Sequence, residues 1–130
     1  MSQEHVILDA SSLIALLQNE KGSEIVGPLV HRAIMSTVNV SEVAKFLMEN
    51  KTLTKTETAT RIKALVSDII DFDETQAFDS AELIQQTKSL GLSFSDRACI
   101  ALGLRTGYTI YTSDKKWSQL DCKGKIVQIR

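Results

Sequence analysis

Short apolar runs alternate with longer amphipathic segments along most of the chain. The apolar runs are rich in β-branched residues and predict five strands, at residues 5–9, 33–38, 68–73, 109–114 and 125–130. The segments between them mostly have helical spacing, and a crossover between parallel strands requires about a dozen residues. The pattern therefore predicts an α/β fold built from parallel β-α-β units.

Helix boundaries are indicated by capping residues, glycine and proline. Helical spacing covers residues 11–20, 23–33, 39–50, 54–66, 74–90 and 93–106. Thr54 and Glu57 have the spacing of a capping box at the start of the fourth segment, and Gly91 and Gly107 follow the last two. Pro28 is the one feature against the second helix, because an interior proline kinks a helix. The last segment is apolar on most sides, so we expect a central, buried helix there.

The composition is that of one globular domain. At 130 residues the chain is long enough for one core and short for two, so residues 1–130 are expected to form a single domain. Hydrophobic residues make up 43% and charged residues 24%, which excludes a disordered chain. Cys99 and Cys122 have no metal-binding or redox spacing. With no signal-peptide pattern and no apolar run near the ~20 residues that span a bilayer, we expect a cytoplasmic protein without membrane association.

Charge is divided unevenly along the chain, although the net charge is only −1. Residues 97–130 hold seven basic and two acidic side chains, whereas the first 96 residues are predominantly acidic. An acidic site that binds cations, beside a basic flank that steers phosphate, would have this distribution. Chance segregation of solvated charges is the more common explanation, so the feature alone does not indicate a nucleic-acid-binding protein.

Four acidic residues are predicted to lie at one edge of the sheet. Asp9 ends the first strand and Asp114 the fourth, while Glu42 and Asp96 are expected in the first turns of two helices. Ligands of open α/β sheets bind at the carboxyl ends of the strands. Four carboxylates gathered there would repel one another, and a hard cation such as Mg²⁺ or Mn²⁺ would remove that cost.

Helix capping is the simpler alternative for each acid. Asp9 and Asp114 could cap helices that follow them. Glu42 lies three residues after Asn39, and Asp96 lies three residues after Ser93, which is the spacing of a capping box. Four independent caps have no reason to converge on one edge. The two roles are also compatible, since a helix N-terminus favours negative charge.

Three segments resemble the PIN-domain family, and specifically its VapC-type toxins. They are VILDASSLIALL (6–17), STVNVSEVAKFL (36–47) and LSFSDRACIALGLRTGYTIYTSDKKW (92–117), and in order they cover essentially the whole chain. The resemblance implies a three-layer α/β/α sandwich around a central parallel sheet and Mg²⁺- or Mn²⁺-dependent endoribonuclease activity on RNA. It also implies a homodimer and a cognate antitoxin protein, for which we expect a tail that blocks the acidic site.

The resemblance also assigns roles to residues. By position the family's four acids match Asp9, Glu42, Asp96 and Asp114. We expect the first three to contribute most to holding the metal, and the fourth to complete the cluster or orient the attacking water. The family's small polar residues match Ser11 and Ser113, the latter preceded by Thr112.

Neighbouring polar residues carry two interpretations each. Ser11, Ser95 and Ser113 either hydrogen-bond the acids or cap helices and turns. Arg97, Lys115 and Lys116 either contact RNA phosphates or are solvated charges. Trp117 either stacks on a base or, as the more common role, packs on the core.

Other functions fit less well. A phosphatase of the haloacid-dehalogenase type would have a second acid at position 11, which is Ser11, and a receiver domain would have an acidic pair before its phosphoacceptor. His5 and His31 are expected on the surface, so a histidine acid–base mechanism has no candidate. A non-catalytic RNA-binding PIN domain and a general RNA-processing nuclease remain as alternatives.

Overall fold

The computed structural model describes residues 4–120 and 125–130, and within them a five-stranded parallel sheet. The strands are β1 (Val6–Leu8), β2 (Ala33–Ser36), β3 (Asp68–Ile70), β4 (Ile110–Thr112) and β5 (Ile126–Gln128). Their order across the sheet is β3-β2-β1-β4-β5, and every neighbouring pair is parallel. The predicted strands are all present and are shorter than the apolar runs that indicated them.

Seven α-helices connect and flank these strands. They are α1 (Ala10–Leu17), α2 (Ser23–Val26), α3 (Thr37–Asn50), α4 (Lys55–Leu65), α5 (Glu74–Glu82), α6 (Ile84–Thr87) and α7 (Phe94–Thr106), as far as the described residues go. Short 3₁₀ helices cover Gly27–Arg32, Lys88–Leu90 and Lys115–Gln119. The predicted capping box of Thr54 and Glu57 is present at the start of α4.

Two predicted helices are broken. The segment predicted over 23–33 is α-helical only as far as Val26, and the 3₁₀ helix that follows has Pro28 in its first turn. Proline donates no backbone hydrogen bond, which explains why the α-helix does not continue. The segment predicted over 74–90 breaks at Leu83 and ends at Gly91, whose φ of 68° is the left-handed conformation expected of a C-terminal glycine.

Helix α3 begins earlier than its apolar spacing indicates. Ser36 caps it by accepting from the backbone N–H of Val38, so the end of the predicted second strand is helical. Glu42 therefore lies in the second turn rather than the first, and Asn39 lies inside the helix rather than at its cap. The prediction of a capping box between these two residues is wrong for that reason.

Side chains on the two faces of the sheet belong to two separate cores. Val6 and Leu8 pack with residues of α1, α3 and α4, whereas Ile7 packs with residues of α7. Helices cover both faces, which confirms the three-layer α/β/α sandwich. Gly103 faces Ile110 so closely that a methyl group would collide with it, and α7 consequently lies tightly against β4.

The C-terminal third has the packing expected from its sequence. Residues 98–103 of α7 are buried, so the helix is central. Trp117 is also buried, within the same core, so the packing role predicted for it is the one observed. In the part of the chain that the structure describes, no helix is long and apolar enough to cross a membrane.

Candidate active site

The strand order brings the four acids towards the carboxyl edge of the sheet. Asp9 directly follows the central strand β1, which pairs with β2 on one side and β4 on the other. Asp114 lies two residues after β4, and Glu42 is on α3, which follows β2. Asp96 is in the first turn of α7, which packs against α3.

Asp9 is buried, with 4% of its surface exposed. Its Oδ1 accepts hydrogen bonds from the Ser11 hydroxyl (2.7 Å) and the Ser12 backbone N–H (2.9 Å), and its Oδ2 accepts one from the Thr112 hydroxyl. Burial raises the pKa of Asp9 from 3.8 to about 6, because desolvation outweighs these hydrogen bonds. The carboxylate caps α1, which confirms the predicted capping role, while its role in metal binding stays a prediction.

Two hydroxyl groups connect Asp9 to the loop after β4. The Ser11 hydroxyl accepts from the backbone N–H of Ser113 at 3.1 Å, and the Thr112 hydroxyl accepts from that of Asp114 at 3.0 Å. Each hydroxyl donates to one oxygen of Asp9, so Ser11 links one oxygen to this loop and Thr112 links the other. Ser11 thus contacts an acid as expected, while Ser113 acts through its backbone.

Thr112 is the site residue that the sequence analysis left without a role. Its side chain is fully buried at the end of β4 and faces Asp9 across 103 positions of sequence. The sequence does hold a signal for this role. The alternation in β4 places residue 112 on the same inward side as Ile110, and a buried hydroxyl group needs a hydrogen-bond partner.

Asp114 and Asp96 each use one oxygen as a helix cap. Oδ1 of Asp114 accepts from the Lys116 backbone N–H at 3.0 Å. Oδ2 of Asp96 accepts from the Ser93 backbone N–H at 2.9 Å, completing a capping box at the start of α7. The Ser95 hydroxyl contacts that of Ser93 (2.9 Å), so it belongs to this cap rather than to the acids.

The buried thiol of Cys99 lies within electrostatic range of three of the acids. Burial raises its pKa well above the usual range, and the charges of Asp9, Asp96 and Glu42 raise it further. Glu42 itself is exposed and makes no side-chain hydrogen bond within the described residues. The ion pairs found in residues 4–120 and 125–130 involve Arg105 and Arg130 and none of the four acids.

The donor set suits a hard divalent cation, although the side chains are not arranged as a closed metal site. Among the described residues, no three Asp, Glu, His or Cys side chains form a group that could hold a metal ion as they stand. One carboxylate oxygen of Asp96 and one of Asp114 accept capping hydrogen bonds. The other oxygen of each has no hydrogen bond within the described residues. Oδ2 of Asp9 has one donor there, which leaves it room to accept a second contact.

Three basic residues flank this edge. Arg97 is half-buried and donates to the Leu92 carbonyl at 3.2 Å, whereas Lys115 and Lys116 are exposed on the 3₁₀ helix after Asp114. Their place beside the acids keeps the phosphate-binding interpretation open. His5 and His31 are exposed, as expected.

Asp96→Ala tests whether the cap and the cation role coexist. We expect the variant to lose about 1 kcal/mol of unfolding free energy in metal-free buffer, because it loses a capping side chain. We also expect Mn²⁺ to raise the unfolding temperature of the parent protein and to raise that of the variant much less. Thermal unfolding with and without Mn²⁺ measures both. Glu57→Ala breaks the capping box of α4 and is the control, since its Mn²⁺ response should be unchanged; an intact response in Asp96→Ala would exclude a metal role.

The parallel sheet with acids at its carboxyl edge defines a class of α/β proteins whose site is assembled from several strand ends. Within that class, the sequence matches the model of the PIN domain over residues 6–123, so the chain belongs to the PIN-domain family. No curated protein shows significant sequence similarity to it.

Several solved structures share this fold. A toxin–antitoxin complex from Klebsiella pneumoniae aligns with a TM-score of 0.75 and 20% identity, covering 96% of this chain and 98% of the other. DNA-bound VapBC from Salmonella typhimurium aligns with a TM-score of 0.72 and 14% identity, and the alignment covers 98% of this chain and 100% of the other. VapC20 of Mycobacterium tuberculosis, a sarcin–ricin loop cleaving toxin, aligns with a TM-score of 0.71 and 15% identity. That alignment covers 87% of this chain and 92% of the other. At these identities the likeness establishes the fold.

Proposed function

We propose that this PIN-domain protein is a divalent-metal-dependent endoribonuclease and the toxin of a toxin–antitoxin pair. The observation that carries the proposal is the buried carboxylate of Asp9 at the edge of the sheet, with Asp114 linked to it through Thr112, Glu42 and Asp96 on two helices that pack together, and no ion pair to any of the four acids in the described residues. Such an arrangement costs stability unless a cation shares it.

Asp9, Glu42, Asp96 and Asp114 would hold the cation, directly or through water. All four offer oxygen ligands, which Mg²⁺ and Mn²⁺ prefer over other donors. When bound, such an ion neutralises phosphate charge and makes a coordinated water more acidic. The burial of Asp9 supports the assignment, because an ionised carboxylate that lacks water gains most from a neighbouring positive charge.

The chain's own groups would prepare the phosphodiester for attack. Thr112 and Ser11 hold both oxygens of Asp9, so this acid keeps its orientation while substrate binds. The free oxygen of Asp114 would orient or deprotonate the attacking water. Arg97, Lys115 and Lys116 would bind phosphates on either side of the cut.

The likeness to toxins supports the toxin assignment and an antitoxin partner. Of the similar structures, one is described as a toxin–antitoxin complex and another as a toxin that cleaves the sarcin–ricin loop. An antitoxin segment that ends at the acidic edge would block the site, and a basic side chain there would offset its negative charge.

A homodimer is the second partner proposal. The apolar stretches 12–17 and 40–47, which we expected to supply contacts between copies, place Leu13, Val43 and Leu47 in the core and leave their other large apolar side chains partly exposed. Exposed apolar side chains also occur on the opposite layer, where Phe78 of α5 is 71% exposed and Phe94 of α7 is 49% exposed. Exposed aromatic groups of this kind favour association.

End-mapped cleavage of total cellular RNA by the purified, antitoxin-free protein tests the activity. The reaction is run with Mg²⁺ or Mn²⁺, with a chelator, and with Asp96→Asn as the inactive control. Discrete cuts that require both the metal and Asp96 are the expected result, and their positions identify the substrate.

The alternatives give different outcomes in the same experiment. RNA binding without cleavage by a folded, metal-loaded protein would overturn the enzyme assignment in favour of an RNA-binding PIN domain. Cleavage without growth arrest on expression would favour a general RNA-processing nuclease over a toxin.

A further inference from the structure

Asn39 connects the two helices that carry Glu42 and Asp96. It lies in the first turn of α3 and is buried, with 2% of its surface exposed. Its side-chain Nδ2 donates to the backbone carbonyl of Ser95 at 3.0 Å, in the first turn of α7. A carbonyl oxygen only accepts hydrogen bonds, so this contact also fixes which way the amide faces.

Stability alone does not account for this amide. Its Oδ1 is buried and has no hydrogen-bond partner in the described part of the chain. A buried, unpaired carbonyl costs stability comparable to what one hydrogen bond contributes. The Ser95 carbonyl lies inside α7, where the helix's own backbone bonds can satisfy it. The amide is therefore close to neutral, or unfavourable, for folding.

The bond lies beside both acids. Asn39 is three residues before Glu42 on one helix, and Ser95 directly precedes Asp96 on the other. The Asp96 carboxylate is tied to its own helix by the bond from the Ser93 N–H, so it moves with the first turn of α7. Glu42 has no such bond within the described residues and moves with α3. The separation of the backbone positions that carry the two acids is thus set by the separation of the two helices.

We propose that Asn39 is a positioning residue, which sets the separation of α3 and α7 and with it the spacing of Glu42 and Asp96 about a divalent cation. The inference rests on the proposed function, since it assumes that these acids share a cation. Metal ligands must be held within a few tenths of an ångström, and a single buried hydrogen bond between their supporting helices provides such a constraint.

Two variants without the amide test the assignment. Asn39→Ala leaves space and Asn39→Leu fills it, so between them they separate loss of the amide from a change of volume. We expect both to weaken Mn²⁺ binding about tenfold or more, the usual effect of losing a group that orients metal ligands. Electron paramagnetic resonance of free Mn²⁺ during a titration measures this without substrate. In EDTA, we expect Asn39→Leu, which fills the space without a buried, unpaired amide oxygen, to unfold at the urea concentration of the parent or higher.

Two controls lie on the same helix. Asn50 donates Nδ2 to the Phe46 carbonyl at the exposed end of α3, and Asn50→Ala should bind Mn²⁺ like the parent. Val43 is buried in the core, and Val43→Ala should lower stability while leaving Mn²⁺ affinity within twofold.

The outcomes separate this inference from the proposed function. No Mn²⁺ binding by the parent protein would overturn the metal site and, with it, the role of Asn39. If the parent protein binds Mn²⁺ and both Asn39 variants bind it with the same affinity, the role of Asn39 alone is overturned. Equal losses of affinity in Asn39→Ala and Val43→Ala would mean general loosening of α3 and would also overturn it.

Discussion

Asp9→Asn is expected to be more stable than the parent protein by about 2–3 kcal/mol at pH 7.5 in EDTA, because the pKa of the buried acid is about 6 when folded and 3.8 in a model peptide. Between these values the folded protein keeps a proton that the unfolded chain has released. The free energy of unfolding therefore falls as pH rises through this window. Above pH 6 the carboxylate is ionised in both states, and the full cost of burying it remains.

Asparagine can take the place of Asp9 and keep contact with the same three neighbours. Its oxygen can accept from Ser11 and Ser12, and its amide nitrogen can donate to the hydroxyl oxygen of Thr112, which then no longer donates its own hydrogen to residue 9. Urea unfolding at pH 7.5 and pH 4.0 measures the effect, and the difference between variant and parent should shrink below about 1 kcal/mol at the lower pH. Asp73→Asn replaces an exposed helix cap and should change little at either pH. A variant less stable than the parent at pH 7.5 would show that hydrogen bonds outweigh desolvation at Asp9.

Thr112→Val is expected to reduce RNA cleavage about 10- to 100-fold, the range seen when a group that orients metal ligands is removed. Valine keeps the shape of threonine but removes the donor to Oδ2 of Asp9 and the acceptor for the Asp114 N–H. The Thr112 hydrogen bond is the largest of the contributions that lower the pKa of Asp9, so its loss raises that pKa further. Protons then compete with the cation for Asp9 up to a higher pH.

The pH dependence distinguishes this effect from a general loss of structure. At sub-saturating Mn²⁺, the acid limb of the kcat/KM profile should move to higher pH in Thr112→Val, and Thr112→Ser should restore part of the activity. Thr87→Val is the matched control, since Thr87 is equally buried and its hydroxyl donates to the Leu83 carbonyl away from the acids. An unchanged profile in Thr112→Val would contradict the role of its hydroxyl at Asp9.

Local sequence signals predicted most of the fold. The five strands, the capping box at Thr54 and the buried helix α7 follow from alternation, capping residues and periodicity, which act over a few residues. The helix break at Leu83 and the early start of α3 were missed. The residues on either side of both have ordinary helical spacing, and tertiary packing decides where such helices end.

The site was predictable as a set of acids and not as a set of contacts. Strand ends and helix starts indicated where Asp9 and Asp114 lie, because the carboxyl ends of parallel strands share one edge. The hydroxyl of Thr112 and the amide of Asn39 act across 103 and 56 positions of sequence, and no local pattern pairs residues at such distances. Asp9, Glu42 and Asp96 all act on the buried thiol of Cys99, and Asp114 is linked to Asp9 through Thr112, while metal binding by the four acids stays a prediction.

The contact between Asp9 and Thr112 makes two distant parts of the chain depend on one another during folding. Asp9 is synthesised 103 positions before the residue that supplies its buried hydroxyl partner. Until β4 has been made, the nascent polypeptide can hold only Oδ1 of Asp9, through Ser11 and Ser12, and pairing of β1 with β4 then fixes Oδ2 in one later step. A polypeptide released before β4 is made would therefore lack a fully oriented Asp9.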